Sequence, residues 1–383
     1  MKSIGILGIT GSIGTSTIQV MRSHPGLVRI ELATSHNNSK KLLRLAEEFS
    51  IPHVVLTNQI SPDSITDIPP GCTVHYGTDA LDSLLKTLPL DVVFNAISGS
   101  AGMQSTLTSL EAGIDVALAN KESLVMAGHL VKPLLAKTHT TLLPVDSEHS
   151  AILQAMSGRP VEEVHKLIIT ASGGPFRQLP LEDFSHIDLA QSLKHPTWDM
   201  GFKVTMDSAT MLNKGLEIIE AHWLFDMPYS RIEAIIHPQS IIHSMVQFID
   251  GSILAQMSKP TMQLPILYAL THPKHVAPQV THTDFLAIKT LQFEAISTQR
   301  YPLFGLALQV AAAGGLLPTI MNAANEAAIE LFRTRRIRFN DIFTLVAATV
   351  EQAANISHPD VETILTTNHD TRNFVLKNFQ TLI

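Results

Sequence analysis

The apolar positions change rhythm along the chain, and each change marks a different architecture. At the start, short apolar runs alternate with stretches at helical spacing. Residues 3–7 predict a buried strand that runs into Gly8-Ile9-Thr10-Gly11-Ser12-Ile13-Gly14. A helix follows with Ile13, Thr17, Val20 and Met21 on its inward stripe and Pro25 beyond its end. Further strands are predicted at 29–34, 53–56, 91–96, 115–119 and 141–145, with a helix at 39–49 that turns Leu42, Leu45, Ala46 and Phe49 inward. Strands separated by helices imply right-handed crossovers and a parallel sheet, whose ligands bind at the carboxyl ends of the strands. Residues 161–270 then carry strand-like runs at 166–170, 231–237, 241–248 and 252–257 around one helix at 212–225, an α+β pattern. Residues 272–299 are Pro- and His-rich with little period and read as a connector. Helical spacing returns at 303–313, 323–335, 341–354 and 361–382. The expected fold class is α/β: a Rossmann-like parallel-sheet domain at 1–145, a central α+β domain at 146–271, the connector at 272–299, and a helical bundle at 300–383.

Composition narrows the function classes. Lys plus Arg is 27 and Asp plus Glu is 34, a net charge of −7, which disfavours nucleic acid as a partner because phosphate neutralisation needs a basic excess. The chain of 383 residues is 45% apolar and only 16% charged, too apolar for disorder. Mean hydropathy is +0.18. Even so, no apolar run reaches the ~18 residues of a membrane span. The best stretch, 303–321, is broken by Gln309, Gly314, Gly315 and Pro318. A single cysteine, Cys72, allows no internal disulfide and no Cys-based zinc site, which fits a reducing, cytoplasmic compartment. The apolar stretch at 4–7 is too short for a signal peptide. A soluble multidomain enzyme is the class these numbers favour.

Gly8, Gly11 and Gly14 lie between a predicted strand and a predicted helix. Glycines there permit a tight turn and close approach to a pyrophosphate, whose charge the helix N-terminus favours. A ligand-free β–α turn is the plainer alternative. The tip of the second strand, Thr34-Ser35-His36-Asn37-Asn38, lacks the acid that usually meets the ribose 2′-hydroxyl of NAD, and Glu31 falls too early. Hydroxyl and amide donors point instead to NADPH.

Carboxylates cluster twice. Asp146 and Glu148 follow the 141–145 strand, and an extended chain would point both to one side. A helix start capped by Asp146 or Ser147 is the competing account. The segment 206–217 is denser: Asn213 and Glu217 share a helix face, Lys214 is adjacent, and Ser208 lies just before. Glu217 and Glu220 are alternatives for one ligand role. Convergence of Asp146, Glu148 and Glu217 would make an all-oxygen site for Mg²⁺ or Mn²⁺. Ser172-Gly173-Gly174-Pro175 follows a strand and could hold a phosphate or be a plain turn. Lys121 stands at another strand end, and His195 to Gly201 forms a loop whose Trp198 could close over a substrate. The basic run at 333–338 suits a helix C-terminus and is assigned no partner.

Taken in order, several segments resemble the 1-deoxy-D-xylulose 5-phosphate reductoisomerase family. They are Gly8 to Gly14, Ala119 to Ser123, Leu143 to His149, Ser172 to Arg177, His195 to Gly201, Asp207 to Glu217, Ile236 to Ser240 and Asn322 to Glu326. The resemblance implies a homodimer with an N-terminal NADPH domain, a central catalytic domain and a C-terminal four-helix bundle. It implies that Asp146, Glu148 and Glu217 hold Mg²⁺ or Mn²⁺. It assigns Ser172, Ser208, Asn213 and Lys214 to the phosphate of a small phosphorylated sugar, and Ser147 and Lys121 to its reacting end. His195 and Trp198 would belong to a flap, and His237 would line the site. Lys121, Glu148, His195 and Lys214 would be the catalytic residues. Thr10, Gly11, Ser12 and Ile13 would meet the pyrophosphate, with Gly8, Asn38, Asn120, Glu122, Gly201 and Met262 also around NADPH. The chain departs from the family at His36-Asn37-Asn38, where Gly-Lys-Asn is usual, at Phe202, where a basic residue is usual, and at Thr261-Met262-Gln263. A simpler NADPH-dependent reductase of a phosphorylated or amino-acid-derived aldehyde and a non-catalytic NADPH sensor remain as alternatives, and the sensor would not need the three carboxylates together.

Overall fold

The computed structural model describes residues 1–58, 65–198, 200–277 and 282–383. Asp199 of the predicted flap and residues 278–281 of the predicted connector lie outside these. In chain order the elements are β1 (Lys2–Leu7), α1 (Ser12–Ser23), β2 (Val28–Ser35), α2 (Ser39–Phe49), β3 (His53–Leu56), β4 (Thr73–Tyr76), α3 (Thr78–Thr87), β5 (Val92–Asn95), α4 (Met103–Glu111), β6 (Asp115–Leu118), α5 (Glu122–Thr138), β7 (Leu142–Pro144) and α6 (Ser147–Met156). They continue with β8 (Val164–Ala171), α7 (Leu189–Ser192), α8 (Phe202–Ala209), α9 (Leu212–Phe225), β9 (Ile232–Ile236), β10 (Ile242–Phe248), β11 (Ile253–Met257), α10 (Gln263–Thr271), β12 (Glu294–Ala295), α11 (Pro302–Ala313), α12 (Leu317–Arg333), α13 (Asp341–Glu351) and α14 (Val361–Leu382). None of the described helices is long and apolar enough to cross a membrane.

The elements fall into two compact units. The first comprises Met1–Ser123, Val131–Ser150 and Thr261–Thr281. It holds a seven-stranded sheet in the order β4-β3-β2-β1-β5-β6-β7, with every pairing parallel. The six predicted strands are present, and β4 adds a seventh at the edge. The order reverses between β1 and β5, and a crevice at such a switch point is where doubly wound sheets bind nucleotides. Leu7, Leu32, Val55, Leu81, Leu85 and Val93 form a core on one side of this sheet. Helix α10 packs on α1 in this unit, although its residues fall in the stretch expected to form the central domain.

The second unit comprises Leu124–Leu130, Ala151–Pro260 and His282–Ile383. Its mixed five-stranded sheet runs β11-β10-β8-β9-β12, with β8 and β9 parallel and the other pairs antiparallel. Part of the expected connector therefore ends in a sheet, as β12 beside β9. Helices α11 to α14 pack on one another, and α11 also packs on α9. Helix α12 begins at Leu317, six residues before the start expected at 323. Pro318 lies in its first turn, where no backbone N–H is needed, so it starts the helix instead of ending a loop.

Candidate active site

In the first unit every candidate residue except Met262 follows the carboxyl end of a parallel strand. Gly8 has φ +78°, and a Cβ there would lie 2.7 Å from the Ala96 carbonyl oxygen across the switch point. A Cβ on Gly14 would lie 2.4 Å from the Gly8 carbonyl oxygen, so α1 can start directly on the turn only with glycine there. The turn is tied to β2: Gly8 N donates to Thr34 Oγ1 at 2.9 Å, and Thr10 Oγ1 and Ser35 Oγ share a hydrogen at 2.8 Å. Asn38 caps α2 by accepting from Lys41 N at 3.1 Å. Met262 stands just before α10.

Asn120 is 1% exposed. Its amide donates to Ile97 O and Gly99 O, both at 2.7 Å, while its oxygen accepts from Ser123 N and Ser123 Oγ. These bonds make Asn120 a strut between the loops after β5 and β6. Lys121 Nζ lies 2.5 Å from Asp146 Oδ2, both well shielded from water. Glu148 does not follow Asp146 in extended chain. It lies in the first turn of α6, where Ser147 Oγ donates to its Oε2 at 2.5 Å. The alternation argument for this pair is therefore wrong, because the chain turns helical at Ser147.

In the second unit the turn after β8 meets the start of the predicted flap. His195 Nδ1 accepts from Thr197 N at 3.2 Å and Trp198 N at 2.9 Å. Its Nε2 is 3.0 Å from Ser172 Oγ and so carries the proton that it donates there. Gly174, at φ +69°, has no room for a Cβ, which would fall 2.5 Å from the Ser208 carbonyl oxygen. The Ser172 turn and Ser208 are thus neighbours. Met211 adopts φ 61° between α8 and α9, an uncommon conformation for its type that folds the two helices tightly together. On α9, Asn213 Nδ2 donates to Glu217 Oε1 at 2.5 Å, and Lys214 pairs with Glu217 Oε2. Glu217 is 1% exposed and Glu220 is fully buried. Such a buried ion pair gains little net stability, since desolvation cancels most of its attraction. Gly201 immediately precedes α8. His237 is fully buried: its Nδ1 donates to Gln292 O at 2.9 Å, its Nε2 accepts from Ile241 N at 3.2 Å, and its ring stacks on Phe293.

Two residues with no role in the sequence reading stand out. Asn325 of α12 donates to Asp207 Oδ1 at 2.7 Å, and Lys203 to Asp207 Oδ2 at 2.8 Å, just before Ser208. Lys41 Nζ reaches Thr10 O at 3.0 Å and Thr15 Oγ1 at 2.7 Å. A buried Asn on an Ala-rich helix was the available signal for the first. A lysine in the first turn of a helix was the signal for the second.

Family models of 1-deoxy-D-xylulose 5-phosphate reductoisomerase match residues 4–128, and models of its C-terminal domains match 142–225 and 257–374. The 1-deoxy-D-xylulose 5-phosphate reductoisomerase of Geobacillus kaustophilus (strain HTA426) is 44% identical over 98% of this chain and 99% of its own. The chain belongs to the 1-deoxy-D-xylulose 5-phosphate reductoisomerase family. The enzyme of Listeria monocytogenes (serovar 1/2a, strain ATCC BAA-679 / EGD-e) is 42% identical over 98% of this chain and 99% of its own. A crystal structure of DOX-P reductoisomerase with NADPH, fosmidomycin and magnesium superposes with a TM-score of 0.94 at 36% identity, covering 100% of this chain and 99% of that one. The Zymomonas mobilis enzyme with NADPH gives 0.92 at 36%, covering 99% of each.

Proposed function

We propose that this chain converts 1-deoxy-D-xylulose 5-phosphate to 2-C-methyl-D-erythritol 4-phosphate, with NADPH as reductant and a divalent cation as cofactor. The observation that carries this reading is the full-length likeness to enzymes of that name, 44% identical over 98% of the chain. Asp146, Glu148 and Glu217 are proposed as the ligands of Mg²⁺ or Mn²⁺. The donors fit such an ion in being hard carboxylate oxygens, and the lysine ammoniums that pair with Asp146 and Glu217 would have to yield those oxygens to it. When bound, the cation supplies Lewis-acid polarisation of the substrate ketone and neighbouring hydroxyl, and NADPH supplies the hydride.

The chain's own groups do the rest. Ser172, Ser208, Asn213 and Lys214 take the substrate phosphate, and binding there, remote from the reacting carbons, can be spent on the chemical step. Lys121 and Ser147 face the reacting end as a carbon–carbon bond breaks and re-forms to give a branched aldehyde. His195 and Trp198 exclude water from that aldehyde until hydride reaches it. Thr10, Gly11, Ser12 and Ile13 hold the pyrophosphate at the N-terminus of α1. A homodimer and a cytoplasmic location belong to the same proposal. The test follows NADPH absorbance with purified protein, 1-deoxy-D-xylulose 5-phosphate and Mn²⁺, before and after excess EDTA. Oxidation that stops on chelation is expected. Nucleotide binding with no oxidation would return the substrate to simpler aldehydes.

A further inference from the structure

We propose that the Lys41 ammonium binds the 2′-phosphate of the dinucleotide and sets the preference for NADPH over NADH. The proposal rests on the NADPH reading above and names the residue behind it. In this fold the group beside the tip of the second strand meets the ribose 2′ position: a carboxylate selects the hydroxyl, a cation the phosphate. Here the tip has no acid. Glu31 lies four residues before Ser35 and pairs with Arg29. Around the tip the structure assembles hydroxyls and amides instead. Ser35 Oγ meets Thr10 Oγ1 at 2.8 Å and accepts from Asn38 N at 3.1 Å, and Asn37 accepts from Asn58 at 2.6 Å.

Lys41 brings the cation to this polar group. Its ammonium is half-buried and fixed on Thr10 O at 3.0 Å and Thr15 Oγ1 at 2.7 Å. It therefore stands on the nucleotide turn itself, on the side that the β2 tip closes. Its position is costly for the helix. The first turn of α2 holds Lys40 and Lys41 and no acid, opposite to what the helix dipole favours. A bound phosphate would reverse that repulsion. His36, exposed at the strand tip, is held instead on Thr57 Oγ1 at 3.1 Å.

The test measures dissociation constants for NADPH and NADH by nicotinamide fluorescence, without substrate or metal, for the wild-type chain, Lys41→Met and Lys41→Arg. The wild type is expected to prefer NADPH. Lys41→Met is expected to weaken NADPH about 10- to 100-fold, the loss of one charged hydrogen bond, and NADH less than about twofold. Lys41→Arg should restore most of the margin. Equal weakening of both nucleotides would make Lys41 a strut of the turn and overturn the proposal. So would an unchanged margin in Lys41→Met. A wild type without preference overturns the Lys41 assignment but leaves a reductase standing. A wild type that binds neither nucleotide overturns both.

Discussion

Asn325 offers the sharpest test of how the C-terminal helices serve the α8–α9 corner. It is fully buried, as is Asp207, and its amide nitrogen is one of the two donors described on that carboxylate. Replacing Asn325 by Leu keeps the volume roughly constant and removes the donor. Losing a hydrogen bond to a charged group costs about 1.5–3 kcal/mol. One offset is visible: the Asn325 amide oxygen is buried without a partner among the described residues, and its removal returns about 1 kcal/mol. The net is about 0.5–2 kcal/mol, a fall in Tm of roughly 1–8 °C for a unit of this size. Asn325→Asp should be worse, because a second carboxylate would face the first at hydrogen-bond distance and one of them must take a proton. Since Asp207 precedes Ser208, both variants should raise KM for the phosphorylated substrate and leave the NADPH dissociation constant unchanged. Thermal denaturation and steady-state kinetics read these effects. Wild-type Tm and KM in both variants, or an Asp variant as mild as the Leu variant, would refute the reasoning.

Gly14→Ala should weaken NADPH about tenfold or more, read by fluorescence titration, because its Cβ would press on the Gly8 and Ile9 carbonyls, which cannot yield as a side chain would. Glu217→Gln should lower metal-dependent turnover by roughly two orders of magnitude and spare NADPH binding, checked by kinetics at several Mg²⁺ concentrations. Tyr301 donates to Gly173 O at 2.8 Å, and burial pushes its phenol up to about 12 from 10.0. Its contribution is thus fully present below pH 10 and lost as pH rises through about 12. Tyr301→Phe should cost about 1–3 kcal/mol at neutral pH, measured by thermal denaturation, by leaving the Gly173 carbonyl unpaired.

The parallel sheet is legible because its strands are buried runs with turns at their carboxyl ends. The edge strand β4 is not, since Thr73-Val74-His75-Tyr76 is short and only half-buried. Residue types near the site are legible where they follow strands. Their local geometry is less so: Glu148 obeys the helix that starts at Ser147, and Asn120 spends its amide on the backbone. Lys41 and Asn325 escape because their roles depend on partners about 30 and 118 positions away, which no local pattern encodes.

The interleaving of the two units also bears on how the chain is made. The first unit takes its sheet from the opening part of the chain and its α10 from Thr261–Thr281, so it is incomplete until late in synthesis. By then β8 to β11 of the second unit have already left the ribosome. A stop codon placed between Ser150 and Thr261 would therefore release a nucleotide fold with the apolar flank of α1 bare, a species prone to aggregation and not a smaller working domain.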